Sequence, residues 1–121
     1  MSSHPAAFDR MLDAWHERDP AKVRGHLEAA LAPDIYFVDP KNEIRGLDAF
    51  EAMVHAFHKE YPTAEFVRSS VIDGHHNCYR YHWEMRVDGQ TVLPGFDVSE
   101  VDADGKVRQI FGFFGPLAAA A

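Results

Sequence analysis

The sequence is short of the features that mark several large classes of protein. It has one cysteine, Cys78, so it forms no intramolecular disulfide and nothing in it points to an oxidising compartment. It is also short of positive charge: 12 Lys and Arg against 19 Asp and Glu leave a net charge of −7, the wrong sign for a surface that follows phosphates by counterion release. Nucleic acid is therefore not an expected partner. No apolar run approaches the roughly 20 residues that span a bilayer, so no membrane partner is expected either. The first residues, Met1-Ser2-Ser3-His4, lack the basic start and apolar stretch of a signal peptide, and Asp9 and Arg10 follow closely. A cytoplasmic location is the expectation. There is no glycine-rich phosphate loop and no nicotinamide, flavin or metal signature; His55 and His58 stand three apart with no glutamate at zinc-protease spacing. Neither a cofactor nor a metal is expected.

What is present fits one α+β domain spanning 1–121. Phe8, Met11, Leu12 and Trp15 recur at offsets of three and four, the stripe of a first helix, with Ser3 as a candidate N-cap, Pro5 in the first turn and Asp19-Pro20 as its stop. A second helix is expected from Ala21 to about Ala32, with Asp19 as N-cap, Val23, Leu27, Ala30 and Leu31 facing inward, and Pro33-Asp34 closing it. Ile35-Tyr36-Phe37-Val38-Asp39 is β-branched and aromatic and is stopped by Pro40, which reads as a short strand. A turn from Lys41 to Gly46 leads to Leu47, Phe50, Val54, Phe57 and Tyr61, the stripe of a third helix ended by Pro62.

From residue 64 the period changes to two. Asp73-Gly74, Asp88-Gly89 and Asp104-Gly105 favour hairpins, giving four meandering strands at about 65–73, 77–88, 91–102 and 106–115. In the second of these, Tyr79, Tyr81, Trp83, Met85 and Val87 alternate with Cys78, Arg80, His82, Glu84 and Arg86, so the aromatic side should meet the helices. The last strand is apolar in both registers, Ile110 and Phe114 on one side and Val107, Phe111 and Phe113 on the other. Burial on both faces of so small a protein implies a homodimer through the outer sheet face.

Two carboxylates carry the candidate chemistry. Asp97 shares its parity with Ser99 and Val101, which puts it either on the helix-covered face or on the surface opposite; alternation alone leaves both open. Asp39 ends a strand before a proline, where Asp is also common as a turn residue. If both point inward among Trp15, Phe57, Tyr79, Tyr81, Trp83 and Phe114, desolvation raises at least one pKa, and one group can donate a proton while the other accepts.

The order of elements, Tyr36-Phe37-Val38-Asp39-Pro40 with Gly46 before the third helix, and Asp97-Val98-Ser99-Glu100-Val101 leading to Asp104-Gly105-Lys106-Val107 together resemble the SnoaL-like and ketosteroid isomerase branch of the nuclear transport factor 2-like (NTF2-like) superfamily, over nearly the whole chain. The resemblance implies a conical α+β barrel in which three N-terminal helices pack on a curved, mixed, mainly antiparallel sheet around a central pocket, and a dimer through the outer sheet face. It implies further that Asp39 is the general base and that Asp97, eight residues before the hairpin glycine, is a protonated acid of an oxyanion hole. The same strand region supplies the catalytic aspartate of SnoaL-like polyketide cyclases. The isomerases also carry a tyrosine on the first helix, where this sequence has Met11, and Tyr79 or Tyr81 is the candidate to reach the pocket instead. The Asp-Arg-Asp relay of limonene epoxide hydrolases would need Arg68 or Arg80 as its middle member.

The expectation is a cofactor-free enzyme that moves a proton on a small hydrophobic carbonyl compound, by isomerisation or aldol-type cyclisation. Catalytic roles fall to Asp39 and Asp97, and substrate contact falls to the six aromatic residues. The alternative is a dimeric pocket protein that binds a small apolar ligand without turning it over.

Overall fold

The computed structural model describes residues 4–121. Two helices, α1 (Ala6–His16) and α2 (Pro20–Ala30), precede a hairpin of β1 (Leu31–Asp39) and β2 (Asn42–Arg45). Helix α3 (Leu47–Glu60) follows, and then β3 (Ala64–Arg68), β4 (Asp73–His75), β5 (Cys78–Val87), β6 (Gln90–Val101) and β7 (Val107–Phe114). The strands form one sheet in the order β2-β1-β7-β6-β5-β3, with β4 also paired to β5. Every pairing is antiparallel except that of β1 with β7. The helices cover one face, and Phe8, Leu27, Ile35, Phe50 and Ile110 are fully buried between the layers. This is the α+β architecture expected from the sequence.

Helix starts and stops follow local chemistry. The Asp19 carboxylate accepts the Ala21 N–H at 3.0 Å and Pro20 occupies the first turn, so α2 begins where the cap places it. Ser3, the candidate cap of the first helix, lies outside the described residues; the helix starts after Pro5, whose carbonyl accepts the Phe8 N–H at 3.2 Å. Gly46 precedes α3 at φ 93°, a conformation that favours glycine, and its N–H donates to the Ile35 carbonyl at 2.8 Å.

The departures from sequence-based expectation have physical causes. Helix α2 stops two residues early because Leu31 pairs in parallel with Val107, and Pro33 is tolerated in β1 because the register slips between Leu31 and Tyr36. The expected turn 41–46 is mostly strand: after Pro40 and Lys41 the chain returns as β2 against β1. The expected strand 65–73 is two strands lying end to end along β5. The break is held by the Ser69 N–H to the His82 carbonyl at 2.9 Å and the His82 N–H to Ser70 Oγ at 2.8 Å. Asp73-Gly74 is therefore not a turn, and the chain reverses at His76-Asn77 instead. Asp88-Gly89 does turn, both residues having positive φ as a type I′ hairpin requires. Val107, expected on the outer face, is buried, because an irregularity between Glu100 and Val101 shifts the register at the start of β7.

Candidate active site

Period-two alternation in β6 puts Asp97, Ser99 and Val101 on the helix side. Asp97 is the register partner of Gly112 on β7, and Val38 is the partner of Phe111, so Asp39 and Asp97 stand on either side of Gly112. A Cβ added to Gly112 would lie 3.1 Å from Asp97 Oδ1 and 3.2 Å from Asp39 Cβ. All three residues line a cavity of about 690 Å³ between helices and sheet, a size suited to a drug-sized molecule. Of the six aromatic residues expected to contact substrate, Trp15, Phe57, Tyr81, Trp83 and Phe114 line this cavity. Tyr79 does not. Its ring lies across Gly74, where a Cβ would fall 2.4 Å from Cδ1, and packs on Phe8 with centroids 5.4 Å apart.

The two carboxylates have different surroundings. Asp39 Oδ1 accepts three bonds from its own turn: the Lys41 N–H at 2.8 Å, the Asn42 N–H at 2.8 Å and Asn42 Nδ2 at 3.1 Å. Asp97 is held by side chains of β5. Trp83 Nε1–H donates to Oδ1 at 2.9 Å, and Tyr81 O–H donates to Oδ2 at the longer distance of 3.4 Å. Burial pushes the Asp97 carboxyl up, the two donors pull it back, and the Asp39 charge adds to the rise, leaving it at about 6. Burial, and then the charge of Asp97, pushes the Tyr81 hydroxyl well above its ordinary value.

Gly112, Arg68 and Met11 are among the lining residues that the sequence reading had not placed in the cavity wall. Gly112 interrupts the run Ile110-Phe111-Gly112-Phe113-Phe114, a signal for close approach inside a strand. Arg68 shares its parity with Phe66 and enters the cavity wall with it. Its Nη2 donates to Asp9 Oδ1 on α1 at 2.6 Å, whereas Arg80 Nε pairs with Asp73 at 3.0 Å. Neither arginine bridges Asp39 and Asp97, so no Asp-Arg-Asp relay forms. Met11 lines the cavity from α1. His58 stands outside the cavity lining and donates from Nε2 to the Trp15 carbonyl at 2.6 Å, which ties α3 to α1. Among the described residues no group of three or more His, Cys, Asp or Glu side chains is placed to hold a metal ion, and no helix is long and apolar enough to cross a membrane.

A mixed sheet covered on one face by three helices is the architecture of solved structures described as NTF2-like. The sequence model of the SnoaL-like domain matches residues 8–110, and the chain belongs to that family. A candidate isomerase of the SnoaL-like family from Agrobacterium tumefaciens str. C58 is 30% identical, with 96% of this chain and 100% of that one covered and a TM-score of 0.88. An NTF2-like protein of unknown function from Exiguobacterium sp. 255-15 superposes with a TM-score of 0.73 at 20% identity, covering 92% of this chain and 99% of its own. A candidate SnoaL-like polyketide cyclase from Jannaschia sp. CCS1 does so at 0.68 and 16%, covering 94% and 90%. No curated protein matches the chain.

Proposed function

We propose that this protein is an acid–base enzyme that moves a proton on a hydrophobic, enolisable carbonyl compound, with Asp97 as the base. One observation carries the proposal: a carboxyl group deep in an apolar cavity, fixed by Trp83 and Tyr81 and raised to about 6 by burial. A base is most effective when its pKa lies near the working pH, and such a group is largely ionised at neutrality yet accepts a proton readily. Oδ2, with the longer of the two hydrogen bonds, is the oxygen free to take it. This division of labour is the reverse of the one implied by the resemblance to the isomerases. Asp39 already serves as acceptor for three N–H groups of its turn; its negative charge helps to raise Asp97. The candidate isomerase and candidate cyclase among the similar structures support the same class of chemistry.

The test is deuterium uptake. Enolisable polycyclic ketones are incubated with the protein in heavy water and followed by NMR, beside Asp97→Asn and Asp39→Asn. The wild type should exchange, Asp97→Asn should lose at least about a hundredfold, as removal of a general base does, and Asp39→Asn should retain most of the rate. Loss confined to Asp39→Asn would return the base to Asp39. Ketones that bind without exchange would favour the second reading, a non-catalytic pocket, to which the apolar side chain of Met11 in the cavity wall lends its support.

A further inference from the structure

The proposed chemistry leaves a negative charge on the substrate oxygen, and a group must receive it. When Asp97 removes the proton, the C–H electron pair forms the new C=C bond, the carbonyl π pair moves onto oxygen, and the charge that Asp97 gives up reappears on the enolate. Asp97 offers no donor to that oxygen while it is ionised, Trp83 Nε1–H is spent on Asp97 Oδ1, and Met11 offers only a thioether. Among the described lining residues Lys41 and Tyr61 also carry donors, on an exposed and a half-buried side chain; the buried donor without a partner is on Arg68. Arg68 Nη1 is buried and has no hydrogen-bond partner among the described residues, although Nη2 of the same guanidinium is held by Asp9. A buried polar group without a partner is destabilising, and more so when charged, so such a donor calls for an explanation.

We propose that Arg68 Nη1 is the oxyanion donor of this site, the group that takes the carbonyl oxygen and then the enolate; the inference rests on the base assignment above. Three observations converge on it. Arg68 lines the cavity that holds Asp97. It stands on β3 opposite Trp83, the side chain that fixes Asp97 Oδ1, so base and donor are set by neighbouring strands of one sheet. Asp9 on α1 holds one arm of its fork, Nη2, and leaves Nη1 without a partner. Asp9 is thus a positioning residue: the first helix contributes to the oxyanion site through a carboxylate that holds an arginine. The same pairing selects the class of substrate. Arg68 is already neutralised by Asp9, Lys41 and Glu60 in the wall offset one another, and Asp39 and Asp97 remain, so a ligand that arrives as a carboxylate meets net repulsion. A neutral ketone does not, and it acquires charge only as Asp97 loses its own. Nη1 is closed to water, so the oxygen reaches it by displacing part of the wall and is then stabilised in a dry environment.

The test separates the donor from the base. Naphthol serves as an enolate mimic whose ionisation is read by absorbance, bound to Asp97→Asn, which presents the neutral partner that Asp97 becomes once protonated. Bound naphthol should ionise at least about one pH unit below free naphthol in Asp97→Asn, and the shift should vanish in Asp97→Asn with Arg68→Met. An equal shift in both proteins, or no binding of naphthol to either, overturns the proposal. In the exchange assay Arg68→Met should lower kcat by about 10²–10³ at nearly unchanged KM, with Arg68→Lys recovering part of it, and Asp9→Asn should show a smaller loss of the same kind. Exchange by Arg68→Met at the wild-type rate also overturns it. A wild type that exchanges nothing removes the base assignment instead, and the naphthol shift then decides the role of Arg68 on its own.

Discussion

At the scale of single residues, Asp97 links stability to function with opposite signs. Its carboxyl rises from 3.8 to about 6 on folding, so the folded state holds the proton more tightly than the unfolded chain does. Stability is therefore highest below the unfolded value and falls as the pH rises through about 6; at neutral pH the ionised group costs about 3 kcal/mol. Asp97→Asn should raise the melting temperature at about pH 8, and the advantage should fade towards about pH 4, as calorimetry across that range would show. The reaction follows the other limb, with kcat/KM climbing through about pH 6 to a plateau. Gly112 makes a second prediction. An alanine there has its Cβ 3.1 Å from Asp97 Oδ1 and fills the gap between the two carboxylates. Gly112→Ala should keep the fold, by circular dichroism, and lose at least about tenfold in exchange, since displacing reacting groups by a fraction of an ångström is enough for that.

At the scale of elements, the pairing of β5 with β6 sets the base. Gly95 faces Trp83 in register, and a Cβ on it would fall 2.0 Å from the indole. The glycine is what lets the ring lie flat on β6 and aim Nε1 at Asp97. Gly95→Ala should drive the indole off and destabilise the protein by about 1–3 kcal/mol. With the Trp83 donor gone Asp97 loses a group that lowers its pKa, so the acid limb of the pH profile should move to higher pH. Melting curves and a kcat/KM titration check the two halves separately. The break between β3 and β4 is legible only at this scale. No residue from Ser69 to Ile72 demands an interruption, and it is the backbone and hydroxyl bonds to His82 that hold it.

At the scale of the whole molecule, the outer sheet face carries an aromatic stripe. Phe113 is 56% exposed and Phe111 38%, with Phe96 and Val98 opposite them on β6. Tyr36 meets Phe111 edge-on, and His82 lies against Phe96. A contiguous apolar surface of this kind is what a self-complementary interface buries. Sedimentation velocity should find a dimer, and Phe113→Asp should shift it to monomer while leaving the melting behaviour of the isolated fold within about 1 kcal/mol, as surface substitutions do. A wild-type monomer at micromolar concentration would remove the interface.

The sequence by itself determined the helices, the Asp19 cap, the inward face of β5 and the family, because each is written in spacing between near neighbours. Parity was enough to group Asp97 with Ser99 and Val101, but the choice between cavity and surface needed the helices that cover one face. Tertiary structure alone decided the rest. The meeting of Asp39 and Asp97 across Gly112 depends on β1 joining β7 in parallel, a contact between segments some seventy residues apart in the chain. Tyr79 left the cavity because Gly74, on a strand that local signals had read as a turn, let its ring lie down. Arg68 became part of the site because Asp9, at the far end of the chain, held one arm of its guanidinium. Charge and burial act through space, and the strength of a carboxylate or the orientation of a guanidinium is fixed only when the fold has chosen its neighbours.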